Sequence, residues 1–410
     1  MTEKRTKAKM KKTKMKTLNG VNIAVGITGG IAVYKAAEVV SSLKKLGADV
    51  HVVMTRSACE FVSPLTFGTL SQNKVITDMF EMPDYSHVEH ISLAQAADLF
   101  LICPATANII GKVASGIADD FLSTTVMAAK CPVIFVPAMN NNMYENPIVT
   151  SNIQKLKTFG YRFMEPAEGL LACGTSGKGR LPEVKKIVET AEAAAYPNKD
   201  LSGKRVLVTA GPTVEPIDPV RYITNHSSGK MGYSIAKAAY LRGAEVTLIS
   251  GPVNIEPYTG VNVVPITTAR EMNDAVEHEF ENCDYLIMAA AVADYRPAHA
   301  QDDKIKKGGG LSIELEQNPD ILMNVAKSKG HRVVAGFCME TRNLLDSAAE
   351  KLKKKNLDFI VANNLKTDGA GFGVDTNVVT VLDEKGAVGY DIMSKDEIAH
   401  VILDKCSQRE

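Results

Sequence analysis

The chain has 410 residues, 45% hydrophobic and 23% charged, which is enough apolar material for two globular domains, each with its own core. Lysine plus arginine and aspartate plus glutamate both number 47, so no overall field draws the protein to nucleic acid or to an anionic membrane. Seven cysteines, at 59, 103, 131, 173, 283, 338 and 406, are dispersed without a C-x-x-C pair, the usage of a reducing compartment, and predict a cytoplasmic protein. In chain order, residues 1–18 are rich in lysine and lack an apolar run of the length a signal peptide or membrane span requires. They read as a disordered basic tail rather than a nucleic-acid arm.

From residue 19 the chain reads strand, glycine turn, helix, strand: "VNIAVGIT", "GGI", "AVYKAAEVVSSLKKLG", "ADVHVVMT". The middle segment carries apolar residues at helical spacing and its flanks are short and β-branched, which predicts a βαβ unit. Further strands are predicted at "DLFLICPAT" (98–106) and "PVIFVPAM" (132–139), so a parallel, doubly wound sheet is expected over 19–190. Gly29, Gly30 and Ile31 stand at a helix start, where free N–H groups and the positive dipole end favour phosphate; glycines kept for close strand–helix packing would look the same. Thr55, Thr106 and Ser123 lie at strand ends or helix starts, where such a sheet binds its ligand. His90, Asn140 and Cys173, the last in "ACGTSGKGRLPE", complete the candidate site; singly, each could be a cap, a turn residue or a buried thiol. His87 and His90 have no further ligand at metal-site spacing.

Around Tyr196-Pro197-Asn198 a helix ends in a polar turn, and residues 191–201 are expected to be a linker. The pattern then restarts over 202–410 with "RVLVTAGPT", a glycine-rich loop, "GYSIAKAAYLRG" and "AEVTLIS". Helix, Gly-Ala-acid-Val and strand occur in both halves, in "LGADVHVV" and "RGAEVTLI". The expected fold class is therefore α/β, with two tandem Rossmann-like doubly wound parallel-sheet domains. The loop "ITNHSSGKMG" (223–232) is not a Walker loop: Thr224 replaces its first glycine and Met231 its metal-binding hydroxyl. Lys304, Lys306 and Lys307 in "DDKIKKGGG", and Lys351 and Lys355 four apart on one helix face, could meet phosphates or could be solvated surface.

Together these phrases identify a resemblance over nearly the whole chain. "TGGIAVYK", "HISLA", "PATAN", "PAMN", "ACG" with "GKGRL", and then "TAGPT", "EPIDPVRYITNHSSGKMG", "AAVADY", "KIKK" and "GFCMET" are similar to the bifunctional phosphopantothenoylcysteine synthetase/decarboxylases of coenzyme A biosynthesis. Departures are small: Ala96 and Tyr144 stand where relatives carry Trp, and Leu181 where Met is common.

The resemblance implies an FMN-binding decarboxylase domain followed by a CTP-dependent ligase domain, acting on 4′-phosphopantothenate, cysteine and CTP with Mg²⁺. It assigns Gly29, Gly30, Ile31, Thr55, Thr106 and Ser123 to FMN, His90 as a base, Asn140 to the substrate carboxylate and Cys173 as proton donor. It assigns Asn225 to conversion of an acyl-cytidylate, and Ala289, Asp294, Lys304, Lys306, Lys307, Pro319, Asp320, Ile321, Leu322, Phe337, Lys351 and Lys355 to CTP. No residue is assigned to the metal. It also implies a homo-oligomer with trimeric flavoprotein and dimeric ligase domains. A catalytically silent flavin-binding regulator would be expected to have lost His90, Asn140 or Cys173, and all three are present. A nicotinamide dehydrogenase is disfavoured because neither half carries the full dinucleotide fingerprint.

Overall fold

The computed structural model describes residues 15–80, 89–170, 176–306, 308, 311–340, 344–364 and 373–409. Contacts divide it into two compact units, Lys16–Pro197 and Asn198–Glu410. Among the described residues, no helix is long and apolar enough to cross a membrane.

The first unit holds a five-stranded parallel sheet in the order Asp49–Met54, Asn22–Ile27, Leu99–Ala105, Val133–Pro137, Arg162–Phe163. This is the flavodoxin-like order, which reverses direction between the strands Asn22–Ile27 and Leu99–Ala105 and leaves a crevice at their carboxyl ends. Every residue of Leu99–Ala105 is buried, as expected of a central strand covered on both faces. Alternate side chains serve two cores. Val25, Ile27, Leu99 and Leu101 pack with the helix Val33–Lys45, and Ala24, Phe100 and Ile102 pack with Ile109 and Phe121.

The second unit orders its sheet Asn262–Pro265, Glu245–Ser250, Arg205–Ala210, Tyr285–Met288, Val333–Glu340, Phe359–Asn364, Val379–Asp383, Gly386–Gly389. Up to Phe359–Asn364 all neighbours are parallel, in the Rossmann order with its reversal between Arg205–Ala210 and Tyr285–Met288. The parallel Rossmann-like sheet expected of this half is present and is extended at one edge by antiparallel strands. The strands Val379–Asp383 and Gly386–Gly389 form an antiparallel hairpin, whose short turn cannot return a parallel strand. Asp383 Oδ1 accepts from the Lys385 and Gly386 N–H groups and fixes that turn. The shared Gly-Ala-acid-Val phrase leads in both units into the strand beside the first one, although the two strand orders differ.

The units divide between Pro197 and Asn198, inside the expected linker, while residues at the margins of the expected tail and linker belong to the two cores. Leu18, placed in the tail, is fully buried in the first core and its N–H donates to Leu46 O. The helix Val184–Ala195 runs through the start of the expected linker because Ala191 and Ala195 face that core. Leu201, placed at the linker's end, is buried in the second core. Residues 1–14 of the expected tail lie outside the described residues.

Candidate functional site

In the first unit, the candidate residues gather around the sheet's reversal point. Thr28 is buried, donates its hydroxyl to Pro104 O at 2.7 Å and accepts from the Thr106 N–H at 3.0 Å. One hydroxyl thus fixes the exits of two neighbouring strands relative to each other. The adjacent glycines are required for different reasons. A Cβ on Gly29 would lie 2.4 Å from Ser57 Cβ and 2.8 Å from Ser57 C, so this glycine permits close packing. A Cβ on Gly30 would meet nothing nearer than Thr106 Cγ2 at 3.8 Å, so this position opens on free space.

Ala32 at the start of the helix Val33–Lys45 supplies no side-chain cap, and Thr106 does not cap its own helix. A helix start without a side-chain cap beside an open glycine, with Thr106 at the neighbouring strand exit, fits a phosphate-bearing flavin. Ile31 lies on the same loop and is 62% exposed. Thr55 and Ser123 are otherwise engaged. The Thr55 hydroxyl caps the short helix Arg56–Cys59. Ser123 is fully buried, with its hydroxyl in a capping box with Asp120, so its side chain is corrected from a ligand contact to a structural one.

His90 sits in the helix Glu89–Ala96, with its ring edge-on to Phe121 at 6.2 Å between centroids. Asn140 caps the turn Asn141–Tyr144, accepting from the Asn142 N–H at 2.9 Å. Against that turn packs a hairpin of Ala167–Leu170 and Ser176–Arg180. Gly179 has φ +154°, and a Cβ there would lie 2.2 Å from Met139 O, while the Met139 N–H donates to Gly179 O at 3.0 Å. Tyr144 donates to Glu165 at 3.3 Å, and Glu165 pairs with Lys178 of the hairpin at 3.2 Å. Burial and then the Glu165 carboxylate push the Tyr144 phenol up to about 12. Cys173 falls between the hairpin strands in sequence, outside the described residues.

The second unit has a cleft of about 920 Å³ at the reversal point of its sheet. Thr209 and Thr213 repeat the role of Thr28: they are buried, and their hydroxyls accept from the N–H groups of Ala290 and Ala293 at 3.1 and 3.0 Å. Asn225 Nδ2 donates to Val292 O at 3.0 Å and Ala291 O at 3.4 Å, tying the glycine-rich loop to the same segment. Gly229, at φ +74°, turns that loop into the helix Lys230–Leu241. Asn225, Ala289, Asp294, Pro319, Asp320, Ile321, Leu322, Phe337, Lys351 and Lys355 all line the cleft. Asp320 caps the helix Ile321–Ala326 and pairs with Lys355 at 3.0 Å, and Lys351 Nζ reaches Cys338 Sγ at 3.6 Å.

Lys304 and Lys306 are exposed and are not among the residues that line the cleft. Between them, Ile305 is anchored on the Asp218–Arg221 ion pair, donating to Asp218 Oδ2 at 3.1 Å and accepting from Arg221 at 2.9 Å. The Arg221 guanidinium holds buried Asp218 well below the usual carboxylate range. Lys307 lies outside the described residues. Sequence reasoning missed Thr28, Thr209, Thr213, Lys395 and Asn363. The available signals were weak: a hydroxyl just after or within an apolar strand, and Ser394 with Glu397 as a capping box marking the start of the Lys395 helix. Among the described residues, no group of three or more His, Cys, Asp or Glu side chains could hold a metal.

Two doubly wound α/β units in one chain, each with polar groups converging where its strand order reverses, define a two-site enzyme of the nucleotide- and flavin-handling class. Residues 11–195 match the family described as "Flavoprotein", and residues 201–409 match "DNA/pantothenate metabolism flavoprotein C-terminal domain". The chain is 48% identical over 393 residues, 95% of it and 97% of the relative, to "Coenzyme A biosynthesis bifunctional protein CoaBC" of Bacillus subtilis. It is 46% identical over 386 residues, 93% of it and 98% of the relative, to the protein so described in Borreliella burgdorferi. A solved structure of the C-terminal domain of a protein with that description is 40% identical, covers 52% of this chain and 97% of its own, and has a TM-score of 0.45. The chain belongs to the family of bifunctional coenzyme A biosynthesis proteins, as an enzyme with a flavoprotein decarboxylase half and a ligase half.

Proposed function

We propose that the second unit condenses 4′-phosphopantothenate with cysteine using CTP, and that the first, holding FMN, decarboxylates the product to 4′-phosphopantetheine. The observation that carries this reading is the convergence of the Asn225 loop, the 289–294 segment, the 319–322 turn and the Lys351 helix on one cleft.

In the ligase cleft, the substrate carboxylate oxygen attacks the α-phosphorus of CTP, the α–β P–O bond breaks and pyrophosphate leaves. The cysteine amine then attacks the acyl carbon and CMP departs. Lys351 and Lys355 meet phosphate charge, Phe337 stacks on the base, and Asp294 with residues 319–322 shapes the nucleotide pocket. By resemblance Lys304, on its exposed loop outside the cleft lining, reaches the departing pyrophosphate of the first step, where developing charge strengthens a cationic contact. Asn225 orients the acyl-cytidylate for the second. Mg²⁺ arrives with the nucleotide, since triphosphates carry most of its ligands.

In the first unit, the 28–31 loop and Thr106 hold FMN, which when bound supplies the electron sink that decarboxylation of an acylcysteine lacks. Asn140 grips the substrate carboxylate, His90 takes the proton released as the thiol is oxidised, and Cys173 returns a proton at the closing reduction. Ile31 and Tyr34, 62% and 60% exposed beside the flavin loop, support an assembly that covers them. The enzyme works in the cytoplasm as a homo-oligomer, with trimeric flavoprotein and dimeric ligase domains.

The test supplies 4′-phosphopantothenate, cysteine and either CTP or ATP, and follows pyrophosphate and CO₂. Pyrophosphate release with CTP, then CO₂ from a yellow protein, is expected. Release of neither product with any nucleotide would overturn the reading.

A further inference from the structure

The ligase scheme leaves one proton without an acceptor. At neutral pH the cysteine amine is chiefly an ammonium, which has no lone pair with which to attack the acyl carbon. A group beside the acyl-cytidylate must therefore take a proton before the new bond forms. The lysines that line the cleft are donors rather than acceptors. Even Lys395, which burial and then the Lys230 charge push down to about 8, keeps most of its proton at neutral pH. Of the two cleft carboxylates, Asp320 spends Oδ1 on the Met323 N–H at 3.2 Å and on Lys355 at 3.0 Å. The other, Asp294, belongs to a class of weaker bases than an imidazole.

His226 lines the same cleft, directly after Asn225, and is exposed. The backbone on both sides of it is tied down. Thr224 Oγ1 donates to Thr213 O at 2.7 Å, Asn225 holds the Ala291 and Val292 carbonyls, and Ser227 Oγ accepts from the Gly229 N–H at 3.3 Å. The imidazole itself has no hydrogen bond or ion pair among the described residues. A fixed loop thus presents an uncommitted ring to the cleft, and imidazole is the side chain best suited to take and release a proton near neutral pH. We propose that His226 is the general base of the amide-forming step, an inference that rests on the ligase reading above. An imidazole nitrogen takes the first proton from the cysteine ammonium, and the freed amine nitrogen bonds to the acyl carbon. The acyl C–O bond then breaks with its electron pair going to the CMP phosphate. The second proton on nitrogen leaves to water as the adduct collapses, and the imidazolium returns its own to solvent. Asn225 orients the acyl group while His226 readies the amine, so neighbouring residues of one loop serve the two partners of the step.

The test uses the full chain carrying His226→Gln, loaded with CTP, Mg²⁺ and 4′-phosphopantothenate in a single turnover, so that the two steps are read separately. Pyrophosphate release without cysteine reports the first step, and the variant should match the unaltered chain there. Two nucleophiles then report the second: cysteine, whose amine must lose a proton, and hydroxylamine, whose nitrogen is already unprotonated at neutral pH. Cysteine should consume the acyl-cytidylate about 100-fold more slowly in the variant, whereas hydroxylamine should form the hydroxamate at the unaltered rate. The deficit with cysteine should narrow as the pH is raised to about 9, where the amine loses its proton unaided. The role is overturned if the variant joins cysteine at full rate, or if cysteine and hydroxylamine slow equally, the mark of a disturbed loop rather than a missing base. It is also overturned if the variant no longer forms the acyl-cytidylate, or if its deficit is the same at every pH. Failure of the unaltered chain to release pyrophosphate with CTP is a different result, which would overturn the ligase reading itself and this role with it.

Discussion

The glycine loops of the two units look alike in sequence and work differently. In the first, Gly29 allows backbone to pass against Ser57 and Gly30 leaves space open, with apolar Ile31 exposed beside it. In the second, Gly229 supplies a left-handed turn at φ +74°, and the rim beyond carries Lys230, Lys351, Lys354, Lys355 and Lys395. What the units share is less visible: a buried threonine at the exit of the first strand that holds the exit of the strand across the reversal point. The lesson is that a glycine-rich strand–helix turn marks where a ligand binds, while the surrounding side chains decide which ligand.

The largest effects come from glycines in close contact. A Cβ at Gly251 would sit 1.7 Å from Pro212 O, and one at Gly29 2.4 Å from Ser57 Cβ. Gly251→Ala should destabilise the second unit, and Gly29→Ala the first, by roughly 3 kcal/mol or more. Thermal unfolding followed with flavin colour and pyrophosphate release would show each loss confined to one activity. Gly30→Ala should leave stability within about 0.5 kcal/mol yet lose flavin colour. Retention of full colour there would remove Gly30 from the flavin site.

Next is Asn225→Asp, which sets a carboxylate against the Ala291 and Val292 carbonyls in place of a donor. Ligation should fall by about 100-fold with acyl-cytidylate accumulating, while decarboxylation of supplied phosphopantothenoylcysteine keeps its rate. Lys304→Gln should instead stop pyrophosphate release even without cysteine. Quenched reactions with CTP and Mg²⁺ distinguish the two, and the reverse pattern would invert the proposed order of roles.

Thr28→Val tests the shared threonine tie. It strips the Thr106 N–H of its acceptor and Pro104 O of its donor, and should cost about 1–3 kcal/mol in the first unit along with flavin affinity. An unchanged flavin dissociation constant would make the tie purely structural.

The smallest effect is electrostatic. Burial alone would raise Asp383, but Lys405, the Lys385 N–H and Arg409 hold it down at about 2. Because the folded value lies below the unfolded one, its contribution is present above about pH 4 and is lost as pH falls through about 2. Asp383→Asn should therefore destabilise the second unit by roughly 1 kcal/mol at pH 7. Denaturant midpoints should converge with those of the unaltered chain as the pH is lowered, and a constant difference would assign the effect to packing.

Much of the first unit's strand and helix pattern was legible, because a central parallel strand must be apolar throughout and "LFLICPA" is. The antiparallel edge hairpin was not, since an alternating segment such as Val379–Asp383 fits either direction until its turn is known. Most of the nucleotide residues assigned by resemblance do line one cleft, whereas Ser123 was misread because a hydroxyl at a helix start serves a cap as readily as a ligand.

The sequence by itself determined the two α/β halves, the glycine turns and the family, because periodicity, turn chemistry and motif order are local properties of the chain. Only the tertiary structure decided that one sheet follows the flavodoxin-like order and the other the Rossmann order. It alone brought Lys395 and Asn363 to the cleft of Asn225 and Lys351. Residues that far apart in the chain meet through strand order and helix packing, and a local pattern does not encode which of them will line one cleft.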